Sequence, residues 1–376
     1  MAAYLPYEPI DPREASTMSL VPGTVESERA AASQAALLLS ARAGVLGTED
    51  DHELRQEAEA AGFALPDLSR MQRTRRLRVE EATRPLGVTA KELAQETPPD
   101  LRDEMARATG EIYEHPSTET AAALFEAAMH SPHALVRVAA AAGARETTRL
   151  RRQIRRTLEE GCLSDDPLVA GVAQEAMSKI DPKHPYLKAA LAERTPHVRR
   201  TGNSHTAVIS HGTWASGSSW YQPGGDFYDG LAAERPDLNL HPRSFTWSGD
   251  YSTTAWREGA EDMRDWLSNE GLARPDLFAH SHGATVANRA TKLGVTFKRL
   301  VLMGWPVRSD WFPDPARVDR IIDVRVRLDL VIMVDGGGQR LRTDQFNVKE
   351  HRHGWFNHAA THDPGYWTTH GLWDKV

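Results

Sequence analysis

Cysteine is almost absent from this chain: Cys162 is the single one among 376 residues. One thiol excludes an intrachain disulfide and a thiolate metal cluster. Its distance from the Gly-rich and His-rich segments makes it read as a buried structural thiol. An excess of positive charge is missing too. With 45 Lys and Arg against 52 Asp and Glu, the formal net charge is −7. That balance offers no footprint for nucleic acid or for an anionic membrane surface. The basic run Arg73, Arg75, Arg76, Arg78 lies between acidic segments and reads as a solvated helix face. No apolar stretch is long enough to span a bilayer. The longest, AAASQAALLLSARAGVLG from Ala30, is interrupted by Ser, Gln and Arg and reads as an amphipathic or buried helix. The opening MAAYLPYEPIDPREAS has no basic stretch followed by an apolar core, so no signal peptide is expected. A cytoplasmic protein that is not transmembrane follows as the expectation, with about two to three domains for its length.

The sequence changes character near residue 200. Before it, Ala, Glu, Arg and Leu recur at helical spacing; after it come β-branched runs, glycines and all ten tryptophans. The polar, turn-forming segment RTPHVRRTGNSH, from Arg194 to His205, marks the change. Helices are expected at about 25–43, 51–61, 89–96 and 99–113. HALVRVAAAAGA from His133 then aligns with DPLVAGVAQEAM from Asp166 at an offset of 33 residues. Each has a turn, a Leu-Val pair and a small-residue helix, preceded by another helix. The pattern resembles HEAT-type helical repeats, although two Ala-rich units suit a plain helical bundle equally. The expected division is a helical region at 1–117, a helical, HEAT-like region at 118–200, and an α/β domain at 201–376.

In that last region strands alternate with helices. TAVISHG and LNLHPRSFTW read as strands, followed by a helix at about 254–270. Strand DLFAHS, helix GATVANRATKLG and strands RLVLMGWP and IIDVRVRLD complete the series. Such alternation predicts a mainly parallel sheet with helices on both faces. Within LFAHSHGATVANRA, Ser281 stands at the corner between strand and helix, with small residues Ala279 and Gly283 two before and two after it. That is the pattern of a nucleophile elbow, in which a strained turn exposes the serine oxygen at the carboxyl end of the sheet. ISHGTW, ending the first strand, can aim the backbone N–H groups of Gly212 and Thr213 at a developing oxyanion, together with that of His282. Asp329 ends the alternating strand VRVRLD, and HRHGWFNHAATHDPGYW follows. Nucleophile, acid, histidine is the order this architecture uses.

Taken in order, VISHGT, FTWSGDYS, GAEDMRDWL, LFAHSHGA, LVLMGWPV, RLDLV and NHAATHDPGYW resemble the α/β-hydrolase fold. Within it they are similar to bacterial lipase/esterase-type serine hydrolases, over residues 205–376. The resemblance implies an α/β-hydrolase domain and does not reach the first 200 residues, where helical spacing predicts an all-α N-terminal domain. It also implies a Ser-His-Asp triad working through an acyl-enzyme, with no cofactor and no metal. Ser281 would be the nucleophile. His358 would be the base, with His362 as its rival, and Asp329 the acid, with Asp335 as its rival. His358 matches the family's loop after the last strand, and Asp329 tops its strand. The position of Ala279 departs from the family's usual glycine.

Other readings bear on the same residues. Ser281 could be an ordinary helix N-cap. His280 and His282 diverge on a turn, and the C-terminal histidines lack the His-Glu-x-x-His spacing, so no metal is expected. His280 reads as packing or turn structure. Aromatic residues expected at the rim are Trp214, Trp220, Tyr221, Trp305 and Trp311, which suit an apolar acyl chain. The substrate expectation is therefore a small-molecule or lipid-like carboxylic ester. Acyl transfer on the same fold is one alternative. Another is an inactive scaffold whose helical half binds a protein partner or a second copy.

Overall fold

The computed structural model describes residues 98–189 except 116 and residues 206–376 except 344 and 345; of the earlier chain it describes Ala35, Leu38 and Leu39. The helices expected at 51–61 and 89–96, and the change of character at 194–205, lie outside the described residues. Of the helix expected at 25–43, the three described residues are helical and buried. The chain forms two compact units. One holds the chain up to Ile180 with Met333–Gln339 and Gly354–Phe356; the other holds Asp181–Ile332, Arg340–His353 and Asn357–Val376.

The described part of the first unit before Ile180 is helical: α1 (Pro99–Glu114), α2 (Thr118–Ala128), α3 (Ala134–Gly143), α4 (Arg151–Cys162) and α5 (Pro167–Ile180). Their starts follow from sequence chemistry. Pro99 presets the first turn of α1, and Ser117 with Thr120 forms a reciprocal capping box at α2. Asp166 Oδ1 accepts from the N–H of Leu168 at 2.8 Å, opening α5. Helix α3 packs on α2, α4 and α5. Gly161 makes the α4 contact possible, because a Cβ there would lie 2.6 Å from Val138 Cγ2 and 2.7 Å from Ala173 Cβ.

The second unit is built on a six-stranded sheet in the order β2-β1-β3-β4-β5-β6. The strands are β1 (Thr206–Ser210), β2 (Asn239–Leu240), β3 (Asp276–His280), β4 (Phe297–Met303), β5 (Val318–Arg327) and β6 (Val348–Trp355). Pairs β1–β2, β1–β3, β3–β4 and β4–β5 are parallel. Between the strands run α6 (Asp226–Glu234), α7 (Thr253–Asn269), α8 (His282–Lys292) and α9 (Leu330–Asp335). Side chains alternate across the sheet, as the two-residue period of a strand requires. Val208, Leu277, Ala279, Leu300 and Leu302 join Trp256, Ala260 and Met263 of α7 and Ala284, Val286 and Ala287 of α8 in one core. Ala207, Ile209, Phe278, Val301 and Met303 join Phe227 and Leu231 of α6 with Trp367 and Trp373 in the other. A sheet covered on both faces places the chain in the α/β class.

Two local expectations are corrected, and one strand was not foreseen. The strand read in LNLHPRSFTW is only two residues long, followed by an isolated bridge between Ser210 and Phe245. Pro242 between them has no N–H to give the ladder. Asp329 does not top β5: the strand ends at Arg327, Leu328 turns with φ +48°, and Asp329 leads into α9. Finally, β6 carries His351 and His353 in a polar stretch whose alternation is too weak to announce a strand.

Candidate functional site

Strand order creates the site. The chain leaves β1 for β2 on one side and then crosses to β3 on the other side of β1. The carboxyl ends of β1 and β3 thus flank a switch point, the place where open α/β sheets leave a crevice. Gly212 follows β1 there, and Ser281 follows β3. Gly304, Asp329 and His358 follow β4, β5 and β6.

Ser281 holds φ 50° and ψ −130°, a conformation costly for a residue with a Cβ. It is imposed by the corner. The Ser281 N–H donates to Met303 O at 2.8 Å, and its C=O accepts from Ala284 N at 2.9 Å. Its side chain makes no cap to the helix that follows, so the N-cap alternative finds no hydrogen bond to rest on. The small neighbours have a visible cause. Ala279 is wholly buried, and a Cβ on Gly283 would sit 2.2 Å from His211 O. The turn after β1 presses as closely: a Cβ on Gly212 would lie 2.7 Å from Ser281 Cβ and 3.1 Å from His280 Nδ1. Half-buried Thr213 comes next. Because His282 is the first residue of α8, its N–H has no acceptor within the helix.

His211 anchors that turn. Its Nε2 receives the N–H of Trp247 at 3.2 Å, so Nδ1 carries the proton and donates to Gly212 O at 2.6 Å. Trp247 also sends its indole N–H to His211 O at 3.0 Å and stacks on the imidazole at 5.7 Å. Burial pushes His211 down to about 4, against the two backbone hydrogen bonds that raise it. The unfolded chain would bind a proton near the ordinary value of 6.5, which the folded chain refuses until about 4. The stabilisation from neutral His211 is therefore complete above about pH 6.5 and lost as pH falls toward 4, on the order of 3 kcal/mol in all. Thermal unfolding followed from pH 7.5 to 4.5 should show this loss, and His211→Gln should show a smaller pH dependence than wild type.

Asp329 and His358 are joined. His358 Nδ1 and Asp329 Oδ2 lie 2.6 Å apart, with Asp329 buried. The other carboxylate oxygen accepts from the N–H groups of Val331 at 3.0 Å and Ile332 at 3.1 Å, so the same side chain caps α9. Nε2 of His358 is buried and makes no hydrogen bond, to Ser281 or to any other group. The ring sits beside Gly304, where a Cβ would lie 3.0 Å from Cε1, and its centroid is 4.7 Å from that of His280. His280 precedes Ser281 in the chain, and Gly304 follows Met303, whose carbonyl accepts the Ser281 N–H.

The rival residues are placed differently. His362 ends the 3₁₀ turn that His358 begins, and stacks on Trp220 at 4.0 Å and 13°. Burial, with His358 close by, pushes it down to about 3. Asp335 lies at the far end of the helix that Asp329 caps. Of the aromatic residues, Tyr221 and Trp305 are fully buried, their polar atoms bonded to Ser216 O and to Thr285 Oγ1. Trp214 is buried and stacks on Tyr251; Trp311 is half-buried against Trp256. Tyr221 meets His211 at 4.8 Å, and Trp220 meets His280 and His362. His280 lies among His358, His362 and Trp220; burial, with those two histidines, holds it well below the ordinary value. This ring cluster was not legible beforehand, because residues 220, 280, 358 and 362 share no spacing. Among the described residues no group of three or more His, Cys, Asp or Glu is arranged to hold a metal ion. No helix among them is long and apolar enough to cross a membrane.

No protein-family model matches this chain, and no curated protein matches it.

Proposed function

We propose that the chain is a serine hydrolase of the α/β-hydrolase type, cleaving a carboxylic ester through an acyl-enzyme. One observation carries the reading: His358 is held by buried Asp329 through Nδ1 while Nε2 is left unbonded, at the sheet end where strained Ser281 stands. In this reading Nε2 takes the proton of Ser281 Oγ as the oxygen attacks the ester carbonyl. The tetrahedral oxyanion is met by backbone N–H groups from Gly212, Thr213 and His282. Collapse breaks the C–O bond, and the imidazolium hands its proton to the departing alkoxide. Water then attacks the acyl-serine by the same proton route, releasing the acid and free Ser281. Hydrogen bonds to catalytic serines are often long before substrate binds, which accommodates the unbonded Nε2.

The test is labelling with a fluorophosphonate probe. Wild type should be labelled and Ser281→Ala should not. A folded wild type that takes no label overturns the reading in favour of an inactive scaffold, and a labelled Ser281→Ala moves the nucleophile elsewhere. For the first unit, the packing of α1 on α2, α2 on α3 and α4 on α5, with α3 also against α4 and α5, is in keeping with the HEAT-like reading and a surface for a protein partner or a second copy.

A further inference from the structure

We infer that Trp220 and His362 are positioning residues: their stack ties the loop after β1 to the turn that carries His358, and so holds the His358 imidazole in place. The inference rests on the proposed function for its catalytic meaning, but its geometry stands alone.

The turn His358–His362 is short, with 3₁₀ geometry. Such turns have poor hydrogen-bond geometry and do not by themselves fix a ring at one end. Here the far end is gripped. The His362 imidazole lies nearly parallel to the Trp220 indole at 4.0 Å. Trp220 is itself fixed from behind, because its C=O accepts from Tyr228 N at 3.1 Å and its ring meets Phe227 edge-on at 6.0 Å, both in the first turn of α6. His280 fills the space between. It meets Trp220 edge-on at 5.5 Å, His362 edge-on at 4.5 Å and His358 at 4.7 Å. Trp220, His280 and His362 form a closed triangle of ring contacts, and His358 joins it through His280. Ring contacts of this kind favour one packing arrangement over others and so bias where the imidazole sits. Trp220 and Gly212 belong to the same loop, so the clamp sets the histidine against the turn that presses on Ser281.

The inference separates cleanly from a substrate-wall role. A wall contributes to binding, and its loss appears in KM; a clamp on the base appears in kcat. Turnover of p-nitrophenyl butyrate, normalised to fluorophosphonate-reactive sites, should show kcat lower by about ten-fold in Trp220→Ala with KM altered by less than about two-fold. His362→Ala should behave alike, and Trp220→Phe should recover most of the loss. The double variant should be no worse than either alone, since both remove one contact. A second readout needs no turnover: the proton on His358 Nδ1, deshielded by its short bond to Asp329, should be visible downfield by NMR in wild type and Trp220→Phe. It should broaden in both alanine variants. Losses carried by KM, losses that multiply in the double variant, or a downfield proton untouched by either alanine would overturn the clamp. A wild type without label or turnover whose downfield proton still answers to Trp220 would sink the hydrolase reading and leave the clamp standing.

Discussion

Replacing His358 by alanine is expected to lower kcat/KM for a simple ester by about 10⁴-fold, against about ten-fold for His362→Ala. The asymmetry follows from what each ring touches. His358 has one nitrogen on a buried carboxylate and the other unbonded. A general base needs that arrangement: an orienting partner on one side and a proton-accepting lone pair on the other. His362 is stacked on Trp220, and its surroundings hold it neutral down to about pH 3. It has no orienting carboxylate among its hydrogen bonds. Steady-state kinetics on both variants, with labelling to count folded sites, measures the difference. Equal losses, or the larger loss at His362, would reverse the assignment.

Asp329→Asn should cost about 10⁴-fold in kcat while leaving the fold nearly intact. The two oxygens of Asp329 do different work. Oδ1 receives the Val331 and Ile332 N–H groups, and an asparagine carbonyl can take them over. Oδ2 faces His358 Nδ1, where the amide would place an N–H donor. The histidine would then turn Nδ1 into an acceptor and put its proton on Nε2, the wrong tautomer for accepting one from Ser281. Asp329→Ala should add a loss of stability of about 1 kcal/mol by removing the cap as well. Comparing kcat with the thermal midpoint across the Asn and Ala variants separates tautomer control from capping. An Asn variant with near-normal kcat would remove Asp329 from the mechanism.

Much of the sheet was legible because its strands are buried on both faces and read as short apolar runs. LFAHS and RLVLMG fall at β3 and β4, and the alternating IIDVRVR falls at β5. The corner at Ser281 was legible from the small residues around it, and the structure supplies their cause in the carbonyl of His211 and the close turn at Gly212. His358 ranks above His362 by the loop it occupies, and Asp329 above Asp335 by a strand alternation that in fact ends two residues earlier, at Arg327. What failed was local. Pro242 ended a ladder that the β-branched pattern promised, and Leu328 turned the chain before Asp329 could top its strand.

Residue types and their periods determine elements, their faces and their order, because backbone sterics and burial act over a few neighbours. They also determine that a glycine turn follows β1, a serine follows β3 and an aspartate comes after β5. Contacts between residues far apart in the chain are another matter. That Asp329 both caps α9 and holds His358, that His211 is locked as its Nδ1–H tautomer by Trp247, and that Trp220 grips His362 all depend on loops meeting at the carboxyl end of the sheet. Such meetings follow from strand order and packing of the whole sheet, which no local spacing encodes.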